Sequence, residues 1–154
     1  MKNKLRLNII ELLTVIGVIA ILISVVFVVF SPRRRFIEAR NMQRLSSVNS
    51  LLQALSNYKF DNNGADPALI ADDTYYMIGT GTDAAGCLEH PTSAVLDLSL
   101  LQGLYLTAIP ADPLSGTAAR TMYYLVRSRN GKTIIGSCDP EKVDGSLPVI
   151  SAER

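Results

Sequence analysis

Leu7 to Phe30 reads LNIIELLTVIGVIAILISVVFVVF, an almost unbroken apolar run with one acid near its start, Glu11. The 22 residues from Ile9 to Phe30 carry no other charge. Wound as a helix they would extend about 33 Å, enough to cross the hydrocarbon core of a bilayer. The run is too long for the apolar stretch of a secretory signal, and the SPRRR that follows offers no small-x-small cleavage site. The segment is therefore expected to stay in the mature chain as an anchor. Its acid is the anomaly. A carboxylate held at depth costs about 3 kcal/mol on insertion scales, so an acid tolerated there is a candidate for function. A side chain this close to the edge of the run can alternatively reach the headgroups.

At 154 residues there is room for one modest domain beside such a segment, and two catalytic domains are excluded by size. Fifteen basic and fourteen acidic residues nearly cancel, and the chain has no tryptophan and few other aromatics. That leaves neither the electrostatic footprint nor the stacking platform of a nucleic-acid binder. The basic residues gather instead at the two ends of the run, as Lys2, Lys4 and Arg6 before it and Arg33, Arg34 and Arg35 after it. Such flanks suit a bilayer, but equal flanks do not orient the segment. Gly17, Ala20 and Ser24 fall at helical spacing and would admit a neighbouring helix, although transmembrane composition is rich in small residues anyway. Cys87 and Cys138 both follow the run, with no CxxC partner and no histidine at ligand spacing, which argues against zinc. In an oxidising compartment their even number favours one disulfide closing a loop of about 50 residues, with a contribution of up to about 4 kcal/mol. In a reducing one they would be two thiols.

Pro32 lacks a backbone N–H, so a kink or break is expected just after the run. Beyond it Met42, Leu45, Val48, Leu52 and Leu55 recur at helical intervals with Leu51 and Tyr58 alongside, while Arg40, Gln43, Arg44, Asn49 and Gln53 take other faces. One half-buried helix is expected, ending at YKFDNNGADP, where Asn62, Asn63, Gly64 and Pro67 are successive stop signals. From about residue 66 the helical period is lost. TYYMIG (Thr74 to Gly79), TMYYLVRS (Thr121 to Ser128) and KTIIGSC (Lys132 to Cys138) are β-rich, and Asn130-Gly131 between the last two marks a hairpin. VLDLSLLQGLYL (Val95 to Leu106) is read as a small helix. The expected fold is α+β, with a small antiparallel sheet laid against the amphipathic half of the long helix.

A short basic leader, then LNIIELL, a long apolar stretch, and a helix containing EARNMQRL together resemble the type IV pilins and the pseudopilins of type II secretion. The YKFDNNGADP helix exit and AIPADPLSG (Ala108 to Gly116) ahead of a tyrosine-containing strand extend the likeness across most of the chain. In that family a leader is cut just before an apolar residue, and a glutamate follows four positions later. The matching positions are Leu7, the implied new N-terminus and site of N-methylation, and Glu11; Arg6 stands before the cut where the family usually has glycine. The resemblance implies a basic leader over residues 1–6, a transmembrane and filament-core helix over 7–31, and an exported globular domain over 32–154 that includes the amphipathic half of the stem helix. It also implies a homo-oligomeric helical filament, in which Glu11 pairs with the freed N-terminal amine of a neighbouring subunit. Pairing would offset the desolvation that an isolated carboxylate suffers. A prepilin peptidase, a platform protein and an assembly ATPase are the implied partners. The implied location is the cytoplasmic membrane, crossed once with the N-terminus inside, and an extracellular pilus after assembly. Export in turn favours the Cys87–Cys138 bridge.

Catalytic signatures are sparse. His90, the only histidine, lies in LEHPTS without a nucleophile elbow, and reads as a loop residue. GTGTDAAG (Gly79 to Gly86) lacks the lysine and hydroxyl of a phosphate loop and is read as a flexible connection. Asp112, Asp139 and Asp144 have no calcium-loop spacing and are read as solvated turns. No enzyme, no cofactor and no metal site is expected. Three readings stay open: a pilin of a surface filament, a pseudopilin of a secretion or DNA-uptake system, and a monomeric single-pass protein whose outer domain binds a ligand.

Overall fold

The computed structural model describes residues 8–29, 32–87 and 90–154. The chain divides into two compact units, residues 1–36 and 37–154. In the first, helix α1 (Ile9–Val29) takes up the apolar run. A helix closes its own backbone hydrogen bonds, which is what a segment leaving water requires. Asn8 accepts the first of these bonds at its carbonyl, from the Leu12 N–H at 3.0 Å. The two hydroxyls within the helix turn inward as well: Thr14 donates to the Glu11 carbonyl at 2.9 Å and Ser24 to the Ile21 carbonyl at 2.7 Å.

Helix α2 (Pro32–Asp61) opens on proline, whose missing N–H is harmless at the first helical position. The expected kink or break falls on Phe30 and Ser31, outside the described residues. The far end of α2 stops where the sequence signals stop. Asn63 and Gly64 adopt left-handed φ of 53° and 85°, and the Gly64 N–H returns to the Lys59 carbonyl at 2.7 Å. This is the glycine-type cap that uses up orphan carbonyls.

In the second unit five strands make one sheet in the order β2-β1-β3-β4-β5, with β1 Tyr76–Ile78, β2 Ala94–Leu96, β3 Tyr123–Arg127, β4 Thr133–Ser137 and β5 Ser151–Glu153. The sheet is mixed, not antiparallel as expected: β1 and β2 run parallel, Tyr76 beside Ala94 and Ile78 beside Leu96. Residues 95–106, expected to be a small helix, instead supply strand β2 and a single 3-10 turn at Ser99–Leu101, opened by the Asp97 carboxylate accepting the Ser99 N–H at 2.8 Å. Pairing along β1 satisfies the backbone of residues 94–96 more completely than one short helical turn would, and this tertiary partner overrides local period.

The β3–β4 hairpin forms as expected. Ser128 and Lys132 close a loop in which the Gly131 N–H donates to the Ser128 carbonyl at 2.8 Å and Gly131 sits at φ 84°. This is the type I turn with a left-handed glycine that suits a loop of this length.

Strand side chains alternate between two cores. Tyr76, Ile78, Tyr123, Leu125 and Ile135 join Val48, Leu51, Leu52 and Leu55 of α2, whereas Met77, Tyr124, Val126 and Ile134 pack with Cys87, Met122 and Cys138. A sheet covered on both faces explains why β3 reads as an unbroken apolar run. On α2 the buried face differs from expectation. Asn41, Arg44, Val48, Leu51, Leu52 and Leu55 face inward, while Met42 is 68 % exposed. Arg44, assigned by sequence to a polar face, is fully buried. The inward stripe is shifted because two carboxylates wait beneath it.

Candidate functional site

Two regions concentrate unusual chemistry. The first is the surface of α1. Its apolar side chains from Ile9 to Val26 are exposed throughout, and none of that window is buried. At 21 residues α1 is long and apolar enough to cross a membrane. Glu11 lies in its first turn, the third helical residue after Asn8. Negative charge there is favoured by the helix dipole. Gly17 leaves open space around its Cα, so its face would admit a close neighbour. Arg6 and Leu7, the positions expected to flank a processing cut, lie outside the described residues.

The second region is an ion cluster where α2 first enters the core. Arg44 donates from Nε and Nη2 to the two oxygens of Asp112, at 2.5 and 3.2 Å, and both side chains are fully buried. Asp112 was expected to be a solvated turn and is the opposite. Its segment folds back so that Oδ1 also accepts the N–H groups of Leu114 and Ser115, at 2.9 and 3.1 Å. Asp144 does lie exposed in a turn, and Asp139 is exposed in an irregular segment, where it accepts the Ser115 hydroxyl at 2.9 Å.

Glu141 completes the cluster. Arg40 holds it with two bonds of 2.5 Å from Nε and Nη2, and Arg44 Nη1 adds a third at 2.9 Å. Asn41 pairs with the backbone of the same residue, its Nδ2 donating to the Glu141 carbonyl at 2.8 Å and its Oδ1 accepting the Glu141 N–H at 3.1 Å.

The electrostatics follow from these contacts. Hydrogen bonds from Arg40, reinforced by Arg44, outweigh partial burial and pull the Glu141 carboxyl down to about 2. Burial pushes Asp112 up, but the Arg44 bond and the two backbone N–H groups prevail, and its net shift is downward. Burial disfavours the Arg44 cation, and its two carboxylates more than compensate. The cluster is charged, paired and mutually satisfied.

Sequence reasoning missed Asn41, Glu141 and the inward role of Arg44. A signal was present: Arg44, Val48, Leu51, Leu52 and Leu55 keep the same three-and-four spacing as the stripe chosen from Met42. A charged residue at its head made that stripe look wrong.

The expected Cys87–Cys138 disulfide is present, linking residues 51 apart. It fastens the connection between β1 and β2 over the second core. That connection is packed closely elsewhere too. A Cβ on Gly79 would lie 2.3 Å from the Ala119 carbonyl oxygen and one on Gly81 2.8 Å from it, so these two glycines of GTGTDAAG serve close backbone packing. His90 lies in the same connection, stacked on Tyr75 at 4.9 Å and tilted against Tyr124 at 4.7 Å, a packing role. No protein-family model, curated protein or solved structure matches the chain, so its function is argued from its own residues.

Proposed function

We propose that the chain is a pilin-like subunit that works by assembly. α1 is stored in a bilayer and becomes the core of a helical filament, with the sheet unit carried on the outside. The observation that carries this reading is α1 itself: an exposed apolar surface from Ile9 to Val26 whose one ionised group, Glu11, stands in the first turn. Apolar surface on this scale requires lipid or other helices as its solvent. An acid at its head favours other helices, because a cation supplied by a neighbour relieves the carboxylate only in the assembled state. In this reading the amine freed at Leu7 is that cation, and the leader ends at Arg6. Prepilin peptidase, platform protein and assembly ATPase are the partners the reading requires. The chain would sit in the cytoplasmic membrane with its N-terminus inside until it is moved into an extracellular fibre.

The test is to shear surface fibres from cells making the full chain and sequence the protein they contain from its N-terminus. Leu7, free or methylated, supports the reading. Fibres whose subunit begins at Met1 would make it a pilin-like subunit that keeps its leader, and a chain found only as a detergent-extracted monomer and never in a fibre favours a single-pass anchor. Recovery only in short periplasmic assemblies moves the assignment to a pseudopilin.

A further inference from the structure

Residues 32–36 of α2 are all exposed, Ile37, Glu38 and Arg40 are half-buried, and the first fully buried side chain is Asn41. Arg40, Asn41 and Arg44 lie ahead of Val48 along the helix and grip the second unit. They reach two segments far away in sequence, and seven hydrogen bonds join them to Asp112 and Glu141. Any pull on the outer unit through the anchored end of the chain reaches these residues before it reaches Val48 and the apolar core.

From this placement we propose that the cluster is a mechanical clamp, which sets the force at which α2 peels from the sheet unit. Charge-assisted bonds lose their strength over a short displacement. Around Arg44 and Asp112, whose side chains have no exposed surface, water does not replace them until the gap has opened. Opening therefore passes through a state in which Arg44 and Asp112 are separated but not yet hydrated, which is a high barrier. At equilibrium the same pair gains little, since its attraction is offset by the desolvation of both ions. A fully buried ion pair of this kind contributes mainly to the rate of opening rather than to the free-energy difference, which is the requirement for a joint under tension. The inference rests on α1 being the anchored end of the chain, in a bilayer or in a filament.

The experiment holds the full chain in detergent micelles by its two termini in optical tweezers. Two variants are compared with the wild type. Arg44→Met with Asp112→Asn removes the buried charges while Asn keeps an acceptor for the Leu114 and Ser115 N–H groups. Glu141→Gln loosens the outer half of the cluster. Lys132→Gln, which breaks the exposed pair with Glu153, is the control. At a fixed force α2 should open roughly ten- to a hundredfold faster in both variants, with no change in the control. The urea midpoint of the double variant should stay close to that of the wild type. An unchanged opening rate in Glu141→Gln overturns the proposal. So does a first rupture that frees β5 while α2 stays docked, or, in the double variant, an acceleration matched in full by lost equilibrium stability. If the double variant does not fold, Glu141→Gln decides alone. Filaments play no part in the measurement, so its failure is separate from failure of the pilin reading.

Discussion

Glu11 follows Asn8 at the spacing of a helix capping box, with Asn8 accepting the first helical N–H at its carbonyl. Two roles therefore compete for one carboxylate: closing the start of α1, and answering a neighbour's amine. Glutamine separates them, because it caps a helix as glutamate does but carries no charge. The pilin reading expects Glu11→Gln and Glu11→Ala both to lower the yield of sheared filaments, by roughly ten- to a hundredfold for a lost charge-assisted bond. Normal yield from Glu11→Gln alone would reduce Glu11 to a cap. Glu141 offers a second residue-level test. Its carboxyl lies at about 2 in place of 4.5, so the unfolded chain binds the proton more tightly than the folded one. Its contribution to stability is complete above about pH 4.5 and is lost as pH falls through about 2. Urea midpoints taken across that window should fall more steeply for the wild type than for Glu141→Gln. Parallel curves would show that Arg40 and Arg44 do not hold the group in solution.

At the scale of elements, β3 and β4 meet with Tyr124 opposite Gly136. The Tyr124 ring lies across the glycine so closely that an added Cβ would stand 2.4 Å from its Cζ atom. Gly136→Ala must displace a ring that is itself packed among Tyr75, His90 and the disulfide. The expected loss is about 1–3 kcal/mol, the range for overpacking a core, read by urea denaturation. A loss below about 0.5 kcal/mol, the usual surface value, would mean that the ring moves freely. The elements differed in how plainly the sequence announced them. α1, the end of α2 and the β3–β4 hairpin were legible because local signals decide them: apolar length, an Asn-Asn-Gly stop, an Asn-Gly turn. Strand β2 was not, since residues 94–96 are strand only through their partner β1, which lies across the 79–93 connection. The disulfide was legible from count and compartment. The ion cluster was hidden for the same reason as β2: Arg44 reads as surface unless Asp112 and Glu141 are known to lie beneath it, 68 and 97 residues away. Long-range pairing of charges leaves no periodic trace in a sequence.

For the whole molecule, the two units call for different solvents. The sheet unit closes its cores in water, with Cys87–Cys138 and the Arg44 cluster as cross-links. α1 leaves its apolar side chains from Ile9 to Val26 exposed and is long and apolar enough to cross a membrane; on the pilin reading lipid or other helices cover them. If the second unit is exported as the pilin reading requires, oxidation of the cysteines reports its delivery, since a disulfide persists only outside a reducing compartment. Val18, near the middle of α1 and 57 % exposed, is the place to test the coupling. An arginine at the centre of a spanning helix costs about 3 kcal/mol on insertion scales. Val18→Arg should therefore shift the chain from the carbonate-resistant membrane fraction into the soluble one, and the displaced chains should have both thiols open to alkylation. Val18→Leu should remain in the membrane with neither thiol reactive. If Val18→Arg is retained as well as the wild type, α1 is not what holds the chain to the bilayer. If it is displaced but still oxidised, the disulfide does not depend on α1-directed export.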